Sequence, residues 1–260
     1  LQDNQENLPV SLIDISTTGA VRTVTLNRPD KHNALSPDMM NAVRDAFTLE
    51  PPADERVTVL RGHGKSFCSG LELSMQGVSN QEAVRIEEMF DAIQRYPLPV
   101  VAVVQGKAIA GGCELALHCD FIVAARDAAF VMPLAQLGVS TTWFLTKKIV
   151  EAAGAHLGRE FLLLGEPISG ERLHHLGIAC RTSDAANLDA TAQTIIDRLA
   201  ANAPLSLKSM KAQLVEMNDY YFNADFKKRD DIALAIYESE DSVEGISARL
   251  AKRQPVFKGR

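Results

Sequence analysis

The stretch KAIAGGCELALHCD, residues 107–120, gives the strongest indication of how this chain folds. It follows the apolar run Val100–Val104 and places two adjacent glycines, Gly111 and Gly112, just before a single carboxylate, Glu114. The apolar run predicts a buried strand of a parallel sheet, and the residues after Gly112 predict a helix. A lone carboxylate in so apolar a region needs either a structural partner or a chemical role.

A second stretch, SFCSGLEL at residues 66–73, has the same design, because it follows a predicted strand, contains a glycine and leads towards a helix. Glycine lets a backbone approach a ligand closely, and the first amides of a helix lack partners within the helix. Two such loops on neighbouring strands can direct one N–H group each at a single oxygen, which forms an oxyanion hole. Tight packing between strand and helix explains the same glycines equally well, so both interpretations stay open.

Glu114 also has two interpretations. A carboxylate in the first turn of a helix interacts favourably with the helix dipole, by about 0.3–1 kcal/mol. In an apolar region, however, burial raises the pKa of a carboxyl group and suits it to proton transfer.

The order of predicted elements indicates the fold class. Strands alternate with helices up to Thr142, and helices dominate after it, which predicts an α/β sheet domain with a helical C-terminal part. Ser36 followed by Pro37 predicts the start of a helix that runs to about Leu49, and apolar spacing predicts another helix at 80–95. Later helices are predicted at 143–153, 157–164, 170–176, 186–201, 204–217 and 222–251.

Composition excludes several classes of partner. The formal net charge of −6 over 260 residues argues against nucleic acid and against an anionic membrane as partners. No apolar run approaches the roughly 20 residues that a bilayer span needs. The four cysteines lack the spacing of a metal site, which predicts free thiols in a cytoplasmic protein and no bound metal.

Five stretches occur in an order that resembles the crotonase (enoyl-CoA hydratase/isomerase) family. They are NRPDKHNALS, GKSFCSGLEL, AIAGGCELALHCDFIVA, GEPISGERLHHLGIA and SEDSVEGISARLAKRQPVFKG. The resemblance implies a crotonase-like core of ββα spiral turns and a helical C-terminal trimerisation region. We accordingly expect a tail at 1–9, the spiral core at 10–200 and a helical oligomerisation region at 201–260. It also implies a homotrimer, or a hexamer made of two trimers.

The same resemblance implies an acyl-CoA thioester as the substrate and no further cofactor. The amides of Leu71 and Gly111 would stabilise an enolate-like intermediate, and Glu114 would act as the acid/base. Lys31 and Lys252 would contact phosphates of coenzyme A, Lys252 across a subunit boundary. The full set of residues expected to bind substrate is Lys31, Ala34, Cys68, Ser69, Gly70, Gly112, Pro133, Leu134, Gly138 and Lys252.

One position departs from the family's hydratases, which carry a second glutamate directly after a proline. Here Leu134 follows Pro133, and leucine can neither transfer a proton nor orient water. The hydroxyls of Ser140, Thr141 and Thr142 either position water or simply lead into the next helix.

Three functional interpretations therefore remain. In the first, Glu114 is the only acid/base, in double-bond migration or in a slow or specialised hydration. In the second, the chain is a CoA-thioester decarboxylase or hydrolase that depends on the oxyanion hole. In the third, it binds acyl-CoA without turnover.

Overall fold

The computed structural model describes residues 11–73, 80–222 and 235–259. The predicted tail at 1–9 and part of the predicted helix at 222–251 lie outside the described residues.

Six strands form one sheet in the order β1-β2-β3-β4-β6-β9, and three shorter strands form a second sheet in the order β5-β7-β8. The strands are β1 Ile13–Thr18, β2 Val21–Leu26, β3 Val57–Gly62, β4 Val100–Val104, β5 Lys107–Ile109, β6 Phe121–Ala125, β7 Ala129–Val131, β8 Ile168–Ser169 and β9 Arg181–Ser183. In the larger sheet β1 is antiparallel to β2, and every other neighbouring pair is parallel. All five residues of β4 are buried, as expected for a central parallel strand covered on both faces.

The helices of the described ranges are α1 Pro37–Thr48, α2 Asn80–Arg95, α3 Gly111–Leu117, α4 Trp143–Arg159, α5 Gly170–His175, α6 Leu188–Ala200, α7 Pro204–Phe222 and α8 Glu240–Leu250. The hydroxyl oxygen of Ser36 accepts a hydrogen bond from the Met39 amide, so α1 begins where its sequence predicts. The predicted helices at 143–153 and 157–164 are both present and meet at a kink, and the second continues into a π-helical turn. Gly154 makes the kink, with φ 72° and ψ 167°.

All four cysteines are free thiols, and Cys68, Cys113 and Cys119 are buried in the core. None of the helices in the described ranges combines the length and the apolar character that crossing a bilayer requires.

Candidate active site

A cavity of about 880 Å³ opens between the loops that follow β3 and β5, helix α2 and the C-terminal segment around α8. Its volume lies within the range of small-molecule sites. Eight predicted site residues line it: Lys31, Ala34, Ser69, Leu71, Gly111, Glu114, Pro133 and Leu134.

The two glycine loops lie side by side at this cavity. A parallel bridge joins Cys68 to Ala108, with hydrogen bonds of 3.1 Å from the Cys68 amide to the Lys107 carbonyl and 3.0 Å from the Ile109 amide to the Cys68 carbonyl. A Cβ atom added to Gly70 would stand 3.1 Å from the amide nitrogen of Gly111. The loops thus approach each other at the point where both meet the cavity.

The amides of Leu71 and Gly111 have no protein acceptor within the residues that the structure describes. Gly111 is the first residue of α3, so its N–H group has no partner within the helix. Ala110 before it has φ 48° and ψ −113°, a backbone conformation that favours glycine and strains alanine. Two amides without a protein acceptor, on adjoining loops, can therefore serve one ligand oxygen.

The sequence left packing and ligand contact as alternative roles for the paired glycines, and the structure gives one role to each glycine. A Cβ atom on Gly112 would stand only 2.1 Å from the carbonyl oxygen of Cys68, so this position requires glycine for packing. Gly111 lines the cavity, where an added Cβ would meet the side chains of Ile86 and Leu35. Gly112 holds the loops together, and Gly111 presents its amide to the cavity.

Glu114 projects from the first turn of α3 and is only 1% exposed. Burial raises the pKa of its carboxyl group well above the usual range; the positive charge of Lys148 opposes this shift, and the negative charge of Glu87 adds to it. Neither carboxyl oxygen has a hydrogen-bond partner among the described residues. Burial therefore favours the protonated form of Glu114, the form that can donate a proton, over an ion held by the helix dipole.

His118 lies one helical turn beyond Glu114, in the core beside it, and the sequence analysis did not identify it. Its ring is stacked between Phe90 and Phe144, with centroid distances of 4.7 and 5.3 Å. Its Nδ1 lies 2.8 Å from the carbonyl oxygen of Glu114 and 3.6 Å from Oε2 of the same residue. Burial lowers the pKa of His118 well below its usual range, so the ring is neutral. The i,i+4 spacing of Glu114 and His118 was the available signal.

A second carboxylate, Glu87 of α2, was also missed. The hydroxyl group of Thr142, which lines the cavity, donates a hydrogen bond to Oε1 of Glu87.

Leu134 lies at the cavity wall, as its position in the sequence predicts, so the wall is apolar there.

The other predicted binding residues are placed differently. Within the part of the chain that the structure describes, five predicted binding residues do not line the cavity: Cys68, Gly70, Gly112, Gly138 and Lys252. Cys68 is fully buried and donates its thiol hydrogen to the Asn33 carbonyl. A Cβ atom on Gly138 would stand 2.3 Å from the Asp241 carbonyl oxygen, so this glycine packs against α8. Arg249 and Arg253, which were not predicted as binding residues, do line the cavity.

The sequence profile described as enoyl-CoA hydratase/isomerase matches residues 16–260. The chain is 30% identical over 248 residues to the probable enoyl-CoA hydratase echA6 of Mycobacterium bovis, an alignment covering 95% of this chain and 100% of the relative. It is also 30% identical over 258 residues to the 2,3-dehydroadipyl-CoA hydratase of Escherichia coli, covering 96% and 100%.

Solved structures show the same relationship. The crystal structure of an enoyl-CoA hydratase from Mycobacterium avium subsp. paratuberculosis has a TM-score of 0.85 at 25% identity, covering 96% of this chain and 100% of that one. Methylmalonyl-CoA decarboxylase complexed with 2S-carboxypropyl-CoA has a TM-score of 0.88 at 25% identity, covering 97% and 100%. The predicted crotonase-like fold and the resemblance in sequence are thus confirmed. This chain belongs to the enoyl-CoA hydratase/isomerase family of the crotonase superfamily.

Proposed function

We propose that this chain is an enzyme acting on an acyl-CoA thioester, and that it passes through an enolate protonated at the α-carbon by Glu114. The amides of Leu71 and Gly111 would bind the thioester oxygen. One observation carries the proposal: two amides without a protein acceptor among the described residues and a buried carboxyl group with a raised pKa line the same cavity.

The chemistry follows from these three groups. When the α-carbon of a thioester loses a proton, or when water adds to a conjugated thioester, negative charge develops on the carbonyl oxygen. Loss of a single oxyanion-hole donor typically lowers kcat by about 10²–10³. The protonated form of Glu114, which burial favours, would deliver its proton to the α-carbon. These steps require only proton transfer, so the proposal includes no cofactor besides the CoA thioester.

The coenzyme A moiety is proposed to lie along the part of the cavity lined by Lys31, Ala34 and Ser69, where Lys31 supplies a positive charge for a phosphate. Arg249 supplies a further positive charge, whereas Arg253, which also lines the cavity, is paired with Glu244. Lys252 is proposed to contact coenzyme A held by a neighbouring subunit, since it is absent from the cavity lining among the described residues.

Decarboxylation is the second candidate. Loss of CO₂ from a β-carboxyacyl-CoA yields the same enolate, which Glu114 would protonate. The leucine at position 134 favours this candidate because it removes a negative charge that would repel the carboxylate of such a substrate. The structural similarity to methylmalonyl-CoA decarboxylase also supports it.

The first experiment is mass spectrometry of the protein in D₂O with 2-enoyl-CoA, 3-enoyl-CoA and a β-carboxyacyl-CoA in separate reactions. Deuterium at the α-carbon, together with water addition, double-bond migration or loss of CO₂, would name the reaction. Glu114→Gln is expected to abolish turnover and to leave binding affinity for the thioester nearly unchanged. Glu88→Gln, an exposed glutamate of α2 paired with Arg44, is the matched control. Full activity in Glu114→Gln would contradict the proposal, and unchanged substrates with confirmed binding would favour binding without turnover.

A homotrimer or hexamer is also proposed. Met210, Leu214 and Met217 recur at i, i+4 and i+7 on α7, and all three are exposed in the single chain. Contact between subunits would remove this apolar surface from water. Light scattering coupled to size exclusion should give the mass of three or six chains, and Leu214→Glu should lower it. A monomeric mass for the unaltered protein would contradict this proposal.

A further inference from the structure

The hydroxyl group of Thr142 makes an unexpected hydrogen bond. Thr142 occupies the N-cap position of α4, where threonine normally accepts a hydrogen bond from an amide of the first helical turn. No such cap bond forms here. Thr142 instead donates its hydrogen to Oε1 of Glu87, and it lines the cavity at 6% exposure. The Thr142 hydroxyl thus binds a carboxylate instead of capping its own helix, which points to a role in the site.

Glu87 lies on the part of α2 that covers the active site. Ile86 beside it lines the cavity, and Phe90, one turn later, stacks on His118 beneath Glu114. The negative charge of Glu87 affects two other side chains at the site. Burial, and to a lesser extent this charge, raises the pKa of Glu114 and raises the pKa of Tyr237 to about 12. Glu87 is also close to the N-terminus of α4, whose dipole stabilises a negative charge.

The direction of the Thr142 hydrogen bond determines what the hydroxyl group can do. A hydroxyl that donates its only hydrogen to a carboxylate keeps its oxygen lone pairs for accepting. A water molecule in the cavity can therefore donate a hydrogen bond to Thr142 Oγ1, which orients the water oxygen for attack. Glu87 behind it can take the proton that moves through the hydroxyl.

We propose that Thr142 and Glu87 together form the second acid/base of this site and activate the water that adds to a 2-enoyl thioester. This inference rests on the proposed function and names hydration as its reaction. Leu134 cannot activate water, and the inference gives this task to Glu87 of α2 and Thr142 at the start of α4. Thr142 contacts the water, and Glu87 acts through Thr142 as its positioning partner and final proton acceptor.

The step balances as follows. The water oxygen forms a bond to C3, while one water proton moves to Thr142 Oγ1 and the threonine proton moves to Glu87. The electron pair of the C2=C3 bond passes into the thioester, giving the enolate held by the amides of Leu71 and Gly111. Glu114 then donates its proton to C2. One water has been added, Glu87 has gained one proton, and Glu114 has lost one, which solvent exchange restores between turnovers.

The test separates two reactions of the same site. Exchange of the α-protons of butanoyl-CoA with D₂O needs the two amides and Glu114, whose carboxyl group must ionise before it can remove an α-proton, whereas hydration of but-2-enoyl-CoA also needs water activation. Thr142→Val and Glu87→Gln are expected to lower hydration by about 10²–10⁴, the usual effect of losing a general acid/base. Thr142→Val should lower exchange far less than hydration, whereas Glu87→Gln also removes a charge that raises the pKa of Glu114, so its exchange rate is expected to change as well. Thr142→Ser keeps the hydroxyl and should retain hydration. Thr141→Val and Glu88→Gln are the neighbouring controls.

Each other outcome overturns the inference. If hydration and exchange fall in parallel, the pair only maintains the shape of the site. If neither falls, another group activates water. If the unaltered protein exchanges α-protons but does not hydrate, the inference is wrong while the proposed function stands. If it does not exchange them, the proposed function fails, and the inference with it.

Discussion

Replacing Glu114 by glutamine is expected to stabilise the protein, and increasingly so as the pH rises. The carboxyl group is 1% exposed, and its pKa lies well above the ordinary value of 4.5 because burial penalises the charged form. A group whose pKa is raised by folding contributes stability that is fully present below its unfolded pKa and is lost as the pH rises through the folded pKa. Glutamine has no such proton to lose.

The magnitude follows from this linkage. Between pH 4.5 and the raised pKa, the folded protein holds one proton that the unfolded chain has released. Each pH unit in this window therefore lowers the free energy of unfolding through Glu114 by about 1.4 kcal/mol. The difference between Glu114→Gln and wild type should grow by this amount per pH unit and become constant above the folded pKa. His118, whose pKa is lowered, is present in both proteins, so its contribution cancels in the difference.

The assay is urea unfolding of both proteins at pH 6, 7 and 8, with the free energy of unfolding compared at each pH. Glu88→Gln, which replaces an exposed glutamate paired with Arg44, is the control for loss of a carboxyl group. If Glu114→Gln and wild type give parallel curves, Glu114 is ionised in the folded protein at neutral pH. It would then be unable to serve as the proton donor that the proposed reaction requires.

Three further predictions concern the loops and the cavity wall. Gly112→Ala places a Cβ 2.1 Å from the Cys68 carbonyl oxygen and should lower the free energy of unfolding by about 3 kcal/mol, measured in urea; an unchanged midpoint would mean that the loops can separate freely. Ala110→Gly relieves the strained φ of 48° and should raise the free energy of unfolding by about 1 kcal/mol. A lower free energy of unfolding in this variant would mean that the backbone conformation carries no strain. Leu134→Glu in a Thr142→Val background should restore hydration of but-2-enoyl-CoA, since a carboxylate would again line the cavity; continued inactivity would show that position 134 cannot reach the water.

Features that depend on neighbouring residues were predictable from the sequence. Ser36 and Pro37 specify the start of α1 by their own chemistry, and the apolar run of β4 requires burial on both faces. The helix at 80–95 was predicted with its observed bounds because its apolar residues recur with helical period. Glu114 was identified because a carboxylate contrasts with the apolar residues around it.

Features that depend on distant contacts were not predictable. Which glycine serves packing is decided by the carbonyl oxygen of Cys68, which lies in another loop. The sequence left two interpretations of Thr142 open, positioning water or leading into the next helix, because its hydrogen-bond partner, Glu87, is 55 residues away on α2. In each case the local sequence is compatible with several arrangements, and tertiary packing selects one.

Three departures from ordinary stability rules occur around this one cavity. Ala110 adopts a strained conformation, Glu114 is buried with no partner for its carboxyl oxygens among the described residues, and Thr142 leaves its helix uncapped. Each such feature destabilises a fold by about 1–3 kcal/mol, and a sequence under selection for stability alone would lose them. A protein that only binds a thioester needs the two amides and an apolar wall, but no buried neutral acid. The retention of all three at one place therefore favours an enzyme over an acyl-CoA-binding protein.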